Sequence, residues 1–469
     1  MTGAQDRGRR RVVVATGDVL GAQMAGPAIR AWQFASALSA EHDVELVTSA
    51  ACTRGADDGF GVRHVDTVDD LVGSTDVWVV QGSVLHDFPA IVRSDAAIVV
   101  DLYDPYHLGN LEMSRERPHR DRLARVHNAT AVLNNAMRRG DFFLAASDPQ
   151  RKFWLGALAS LGRVNPLTYD DDTTLRSLID LVPFGVDARP PIHDRPVLRG
   201  VTPGIAAEDK VLLWGGGLYN WFDPQTLVRA VAQTRQHRAD VRLVFLGGQH
   251  PNPAVPAMRV AAQTRELSDQ LGLTGRAVFF RDGWVPYDER GGYLLEADIG
   301  VSTHLDHVET EFSFRTRILD YLWAGLPVVA TGGDVFSDLL TRAGAGIAVP
   351  AGDVGALTEA LLLLLDDDVR RGEAAAASRE LSQSFHWDHV VAPLLAFCRE
   401  PRRAPDLLDP TSQDNRLRPF DVVRAPTPGP PGWRGEVALA RQYLDRGGAR
   451  LLAKRAASRL GKLARGRTQ

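Results

Sequence analysis

Between residues 10 and 400 the chain alternates short runs rich in β-branched residues with longer helical stretches, and it does so in two successive series. That alternation marks βαβ units on a parallel sheet, because parallel neighbours need a crossover long enough to hold a helix. The first series predicts strands at Arg11–Thr16, Val44–Thr48, Val77–Gln81, Ile98–Leu102, Phe142–Ala146 and Leu181–Phe184. Several are apolar nearly throughout, as strands covered on both faces are. The second predicts strands at Val211–Trp214, Val241–Leu246, Ala277–Phe280, Ile299–Ser302, Val328–Ala330 and Ile347–Val349. A proline- and arginine-rich stretch, Ala188–Val201, lies between the series and sets a boundary near residue 190. A chain of 469 residues also exceeds the size at which one core stops growing. The expected class is α/β: two Rossmann-like, doubly wound parallel-sheet domains over 10–190 and 191–400, a loose linker over 401–434, and a basic helical tail over 435–469.

Apolar residues make up 44% and charged residues 24%, ordinary values for a packed protein. Cys52 and Cys398 sit far apart beside apolar runs, which suits two small buried hydrophobes and gives neither a disulfide framework nor a metal cluster. The polar, basic start runs straight into Val12-Val13-Val14 without the apolar region of a secretory signal, so a cytoplasmic location is expected. No stretch reaches the roughly 20 apolar residues of a membrane span, which leaves peripheral contact with the inner face of the plasma membrane. The tail supplies a means. Leu452, Ala456, Leu460 and Leu463 share one helical face while arginine and lysine fill the rest, the pattern of a basic helix on an anionic surface. Nucleic acid is the competing reading of such a tail; amphipathicity and the lack of interleaved aromatics favour the membrane.

In folds of this class ligands sit at the carboxyl ends of strands, where helix N-termini point bare N–H groups at an anion. The first strand ends in Thr16-Gly17-Asp18 and passes Gly26-Pro27 into a helix. This is not GxGxxG, and a plain connection explains it as well. The second strand ends in hydroxyls rather than a ribose-binding acid, which disfavours a nicotinamide dehydrogenase. The second series opens with Trp214-Gly215-Gly216-Gly217 and continues through Asn220 to Asp223-Pro224, a helix start; the glycines let a ligand approach the backbone, or let one loop pack on another. Richest is 302–334, with His304, Asp306, His307, Glu309, Glu311, Arg315, Arg317 and Asp320 ahead of Gly325. Arg315 and Arg317 fall in a first helical turn, the wrong end for a cation unless an anion such as a diphosphate lies between them. The alternative is an ion-pair cluster with Glu309 and Glu311. His304 and His307 lack a clear third ligand, so no metal is assigned.

These motifs together resemble the GT-B glycosyltransferases, and 10–400 resembles family 4 of that group. The resemblance rests on Gly26-Pro27-Ala28-Ile29-Arg30, on Gly215-Gly216-Gly217, on Phe245-Leu246-Gly247-Gly248, and above all on Arg317-Ile318-Leu319-Asp320 leading to Gly325-Leu326-Pro327. It implies that Asp320 holds the ribose of a nucleotide-sugar donor, that Arg317 or Arg315 holds its diphosphate, and that Gly26, Arg30, Gly216, Gly217, Asn220, His304, Gly333 and Asp334 border the donor. The family carries two glutamates separated by seven residues, the first touching the donor sugar; here Asp320 takes the second place and Phe312 the first, with Glu311 one residue early and Glu309 three, so the resemblance makes Glu309 and Glu311 the candidate catalytic acids. Tyr219-Asn220-Trp221 replaces a usual Arg and Lys.

The resemblance further implies transfer of a sugar to a glycan or lipid-linked acceptor with retention, no metal or other cofactor being required. An inverting reaction needs a base, for which Asp101, Asp104 and His107 are the candidates, though Asp104 and its neighbours equally cap a loop. The departures from the pattern keep a second reading open, a catalytically silent subunit that binds nucleotide sugar or an enzyme partner. A third is an epimerase on the same fold. Nucleotide base, sugar, acceptor and oligomeric state are not written in the motifs.

Overall fold

The computed structural model describes residues 9–55, 59–248, 250–253 and 255–409. Two parallel sheets organise it. The first contains β1 (Arg11–Thr16), β2 (Asp43–Thr48), β3 (Gly61–His64), β4 (Val77–Gln81), β5 (Ala97–Asp101), β6 (Phe142–Ala145) and β7 (Ile179–Leu181), in the order β3-β2-β1-β4-β5-β6-β7. The second contains β8 (Lys210–Trp214), β9 (Val241–Phe245), β10 (Val278–Phe280), β11 (Ile299–Ser302), β12 (Val328–Thr331) and β13 (Gly346–Val349), in the order β10-β9-β8-β11-β12-β13. Both are doubly wound, as the alternation of strand and helix requires. In each the order reverses once, between β1 and β4 and between β8 and β11. Those two reversals are the topological switch points where crevices open at strand ends.

The strands are buried on both faces, and their pleat sends alternate residues to different cores. Val12 and Val14 join one cluster while Val13 and Ala15 join another. The first of these clusters continues into the second sheet through Val211, Leu213, Ile318 and Leu322, so the two lobes share apolar packing. Sequence reading missed β3, whose Gly61-Val62-Arg63-His64 carries one apolar residue and lies at a sheet edge with an intermediate-to-exposed pattern. It also set the seventh strand a few residues late, because Val182 and Phe184 are buried beyond the last paired residue, Leu181.

After residue 384 the chain returns to the first sheet's lobe. Val186 and His386 form a parallel bridge, and Trp387 packs its ring 5.0 Å from Phe184. Phe397 stacks on Phe142 at 4.8 Å. The opening of the expected linker is packed rather than loose over 401–409: Asp406 is buried, and Arg163 donates to it at 2.6 and 3.1 Å. Arg402 and Arg403 add ion pairs to Asp171 and Asp141 at 3.0 and 2.9 Å, and Ala404 and Leu407 are buried; composition alone shows proline and arginine but not where they land. Cys398 is buried and Cys52 half-buried, both free. The basic tail over 435–469 lies outside the described residues. Among the described residues no helix is long and apolar enough to cross a membrane.

Candidate functional site

The first switch point opens a cavity of about 200 Å³ whose lining includes Thr16, Gly17 and Asp18 after β1, Gln81, Gly82 and Ser83 after β4, and Tyr103 and Asp104 after β5. Asp101 ends β5 at its floor and accepts from Arg30 Nε at 2.7 Å, Arg30 Nη2 at 2.9 Å and Gln81 Nε2 at 2.9 Å. Arg30 is fully buried and also donates to the carbonyls of Val182 and Pro183 at 2.7 and 2.9 Å. Its guanidinium is therefore committed to the fold. The expectation that Arg30 borders the donor is corrected on that ground, and Asp101 is equally spent as a base.

Asp104 is different. It stands open to solvent at the cleft, yet protein from both lobes surrounds it; that desolvation, with the charges of Glu309, Asp18 and Asp101, pushes its carboxyl up to about 7 against the opposing pull of Arg315. Desolvation also raises Asp18, opposed by a hydrogen bond from Asn252 and the charge of His250. His107 packs between Phe153 and Trp154, at ring distances of 5.8 and 5.7 Å, and burial pushes it down to about 4. A buried ring that binds a proton this weakly is a poor base, and this corrects the catalytic expectation for His107.

The second switch point lies between Trp214 of β8 and Ser302 of β11. Gly216 turns the chain with φ +78°, and Gly247 lets a second loop cross it: a Cβ there would lie 2.1 Å from the Gly216 carbonyl oxygen. The triple glycine thus serves loop packing as well as any ligand. Beyond it, Tyr219 and Trp221 stack at 4.8 Å with rings 3° from parallel. Asn220, also expected near the donor, is buried and accepts from Val260 N at 3.1 Å at the start of helix Arg259–Gln270, so its role is corrected to that of a cap.

Arg315 and Arg317 straddle the start of helix Thr316–Trp323, as the sequence predicts. Arg315 forms the pair that was the alternative to a bound anion: it donates to Glu309 at 3.0 and 2.7 Å, bidentate and buried, and Ser313 also donates to that carboxylate. Glu309 is therefore not a free acid, a correction to its catalytic expectation. Glu311 lies exposed on the short helix Val308–Phe312, with no ion pair among the described residues.

Arg317 pairs with neither. Its Nη2 donates to the Gly217 carbonyl at 2.8 Å, its guanidinium stacks 4.0 Å from Phe222 and 4.3 Å from Trp214, and Nη1 has no partner. Arg315 lies 5.0 Å over the same Phe222 ring. Burial, with Arg315 nearby, pulls Arg317 down to about 10. Two guanidinium groups on one ring, balanced by one carboxylate, leave a buried site with excess positive charge.

His304 and Asp334 face each other on the same side. His304 Nε2 and Asp334 Oδ2 are 3.7 Å apart, too far for a hydrogen bond, and neither has another partner among the described residues. Desolvation and Arg315 push His304 down to about 4, and desolvation raises Asp334, whose Oδ1 caps helix Val335–Ala343 through Ser337 N at 2.8 Å. Gly333 precedes it with φ +103°. Asp320 is partly exposed and pairs with Arg290 at 3.0 Å. Gly26 begins helix Gly26–Ser39, where a Cβ would lie 3.4 Å from Tyr103 Oη.

Sequence reading passed over Gln81, Asp18, Phe222 and Arg290. A polar residue closing an otherwise apolar strand, as Gln81 closes Val77-Trp78-Val79-Val80, is the signal that finds such residues.

Residues 209–367 match the family model for "Glycosyl transferases group 1". Curated relatives include a D-inositol 3-phosphate glycosyltransferase of Xylanimonas cellulosilytica, 27% identical over 48% of this chain and 52% of its own length. Another of that name, from Jonesia denitrificans, is 25% identical over 74% of this chain and 83% of its own. A phosphatidyl-myo-inositol mannosyltransferase of Mycobacterium leprae is 37% identical over 18% of this chain and 22% of its own. The chain thus spans about half of the first and a fifth of the last. Among solved structures, the sucrose-phosphate synthase of Thermosynechococcus elongatus aligns with TM-score 0.60 at 14% identity, covering 84% of this chain and 99% of that one. WaaG, a glycosyltransferase involved in lipopolysaccharide biosynthesis, aligns with TM-score 0.57 at 16% identity over 83% and 100%. Two parallel sheets with these neighbours show the GT-B fold, and the similarity to group 1 glycosyl transferases lies in the second lobe, over residues 209–367.

Proposed function

We propose that the protein transfers a sugar from a nucleoside-diphosphate sugar, bound at the second switch point, to a hydroxyl held at the first. The observation that carries this is Arg317: a buried guanidinium with a free Nη1 and no carboxylate, stacked beside Arg315 over a glycine loop. A lone buried cation is costly unless an anion arrives to meet it. A diphosphate suits the pair, because guanidinium forks match its oxygens and the charge that develops on it as the sugar leaves is met without reorganisation.

In this reading Asp320 accepts from the ribose hydroxyls, exchanging its contact with Arg290, while His304 and Asp334 offer their free atoms to sugar hydroxyls. Asp104 accepts a hydrogen bond from the acceptor hydroxyl. Arg315 neutralises Glu309 and the Asp334 carboxylate is engaged in capping helix Val335–Ala343, so front-face substitution with retention is the mechanism proposed. No metal is needed where two arginines hold the leaving group. The relatives' printed names point to inositol-bearing acceptors, and a polyol or lipid-linked glycan acceptor is the class proposed here. The basic tail over 435–469 would hold the enzyme on an anionic inner membrane surface beside such an acceptor, each basic residue adding about 1 kcal/mol.

Thermal unfolding against UDP, GDP, ADP and dTDP tests the donor side, since a ligand that prefers the native state raises the midpoint. A shift with one nucleotide that disappears in Arg317→Gln supports the reading. No shift with any of them, in a protein that unfolds cooperatively, turns the assignment towards a silent subunit.

A further inference from the structure

We propose that the first-lobe cavity takes the acceptor by an uncharged, polyhydroxylated ring and rejects a ring bearing phosphate. This deepens the transferase reading and rests on it. Gln81, which is 5% exposed, is the central residue. Gln81 lines the cavity; its Nε2 donates to Asp101 at 2.9 Å, while its buried Oε1 has no partner among the described residues. The amide cannot be reversed, because that would set its oxygen against the Asp101 carboxylate. A residue of the lining thus keeps an acceptor in want of a donor, which a small side-chain adjustment would bring to a ligand.

The rest of the lining asks for the same chemistry. Asp18 and Asp104 bring carboxylates, and among the described residues no lysine, arginine or histidine lines this cavity. The cation beneath the floor, Arg30, is saturated by Asp101 and two backbone carbonyls. Sugar hydroxyls donate to such acceptors, and the flanking rings of Tyr103 and Tyr106 cover the C–H faces of a sugar. Phosphate oxygens would meet acceptor atoms, with no lysine, arginine or histidine among the described lining residues to offset their charge, an unfavourable juxtaposition in a tight site. The adjoining cavity, of about 470 Å³, shares Gly82, Ser83 and Tyr106 and adds Asn110, Asn128 and Arg125.

The test is equilibrium binding to the full chain by calorimetry, using matched probes: methyl glucoside against glucose 6-phosphate, and myo-inositol against inositol 3-phosphate. The expected result is that each uncharged ring binds more tightly than its phosphate by about tenfold or more. Asp18→Asn with Asp104→Asn should close that gap, and Gln81→Leu should weaken every uncharged ring. Asp104 stands on the open rim, so its replacement keeps the test alive if Gln81→Leu does not fold. A phosphate that binds as well as its partner ring, or no binding of any uncharged ring, overturns the proposal. Nucleotide binding measured on the same samples reports separately on the donor reading, so the two can fail independently.

Discussion

The two switch points are built from the same topology and opposite chemistry. At the end of β1 and β4 the cation Arg30 is sealed by Asp101, Val182 and Pro183, and the polar lining that remains includes Asp18, Asp104 and Gln81. At the end of β8 and β11 Glu309 is sealed by Arg315, and the Arg317 guanidinium keeps a free Nη1 beside the free atoms of His304 and Asp334. A doubly wound sheet fixes where a ligand can sit and leaves its charge to the residues placed there. The functional group at each point is thus the one whose partner is missing, not the most highly charged residue nearby.

Arg30→Ala puts the heaviest strain on this contrast. Removing one member of a buried pair strands Asp101, and the expected loss is about 3–5 kcal/mol of stability, read as a lower denaturation midpoint. Arg317→Gln has no carboxylate to strand. It should leave the midpoint of the unliganded protein nearly unchanged or raised, while nucleoside diphosphate affinity falls by about 1.5–3 kcal/mol, roughly ten- to a hundredfold. If instead Arg30→Ala costs binding and not stability, the two arginines have been assigned the wrong way round.

The sequence showed both sheets because a buried parallel strand is written in consecutive apolar residues, and β1, β4 and β11 match the reading residue for residue. Edge strand β3 was invisible because half-exposed strands need no such run. Arg315 and Arg317 were legible as a pair at a helix start, yet their unlike fates were not. Which of them meets Glu309 depends on a loop conformation over Val308–Phe314, and no local pattern states that. Arg30 and Asn220 were misread for a related reason: a motif position says where the backbone passes, and the side chain then found partners 71 and 40 residues away. Gln81 shows the reverse, a residue plain in the sequence whose importance lies only in an unmet hydrogen bond.

Asp104→Asn tests the acceptor side by pH. The folded carboxyl binds its proton more tightly than the unfolded one, with a value near 7 against 3.8, so this group's contribution to stability falls as pH climbs between those values. The variant should lose that slope in a plot of unfolding midpoint against pH. Transfer should rise through about pH 7 in the natural protein as the carboxylate forms, and become flat and slower in the variant. A rising limb that survives the substitution assigns the titration to another group.

The mildest substitutions separate the two points most cleanly. Gly82 follows β4 with φ +56° and Gly216 follows β8 with φ +78°, and at both a Cβ would meet nothing within 4 Å. Alanine at either position therefore meets no steric neighbour and costs only what a left-handed backbone requires, about 1–2 kcal/mol. With equal and modest costs to folding, any difference between Gly82→Ala and Gly216→Ala belongs to the ligands. The first should weaken polyol binding and spare nucleoside diphosphate, and the second should do the opposite, as calorimetry with both probes on each variant will read. Should both variants lose the same ligand, the two glycine turns serve one site, and the separation of acceptor and donor chemistry between the lobes does not hold.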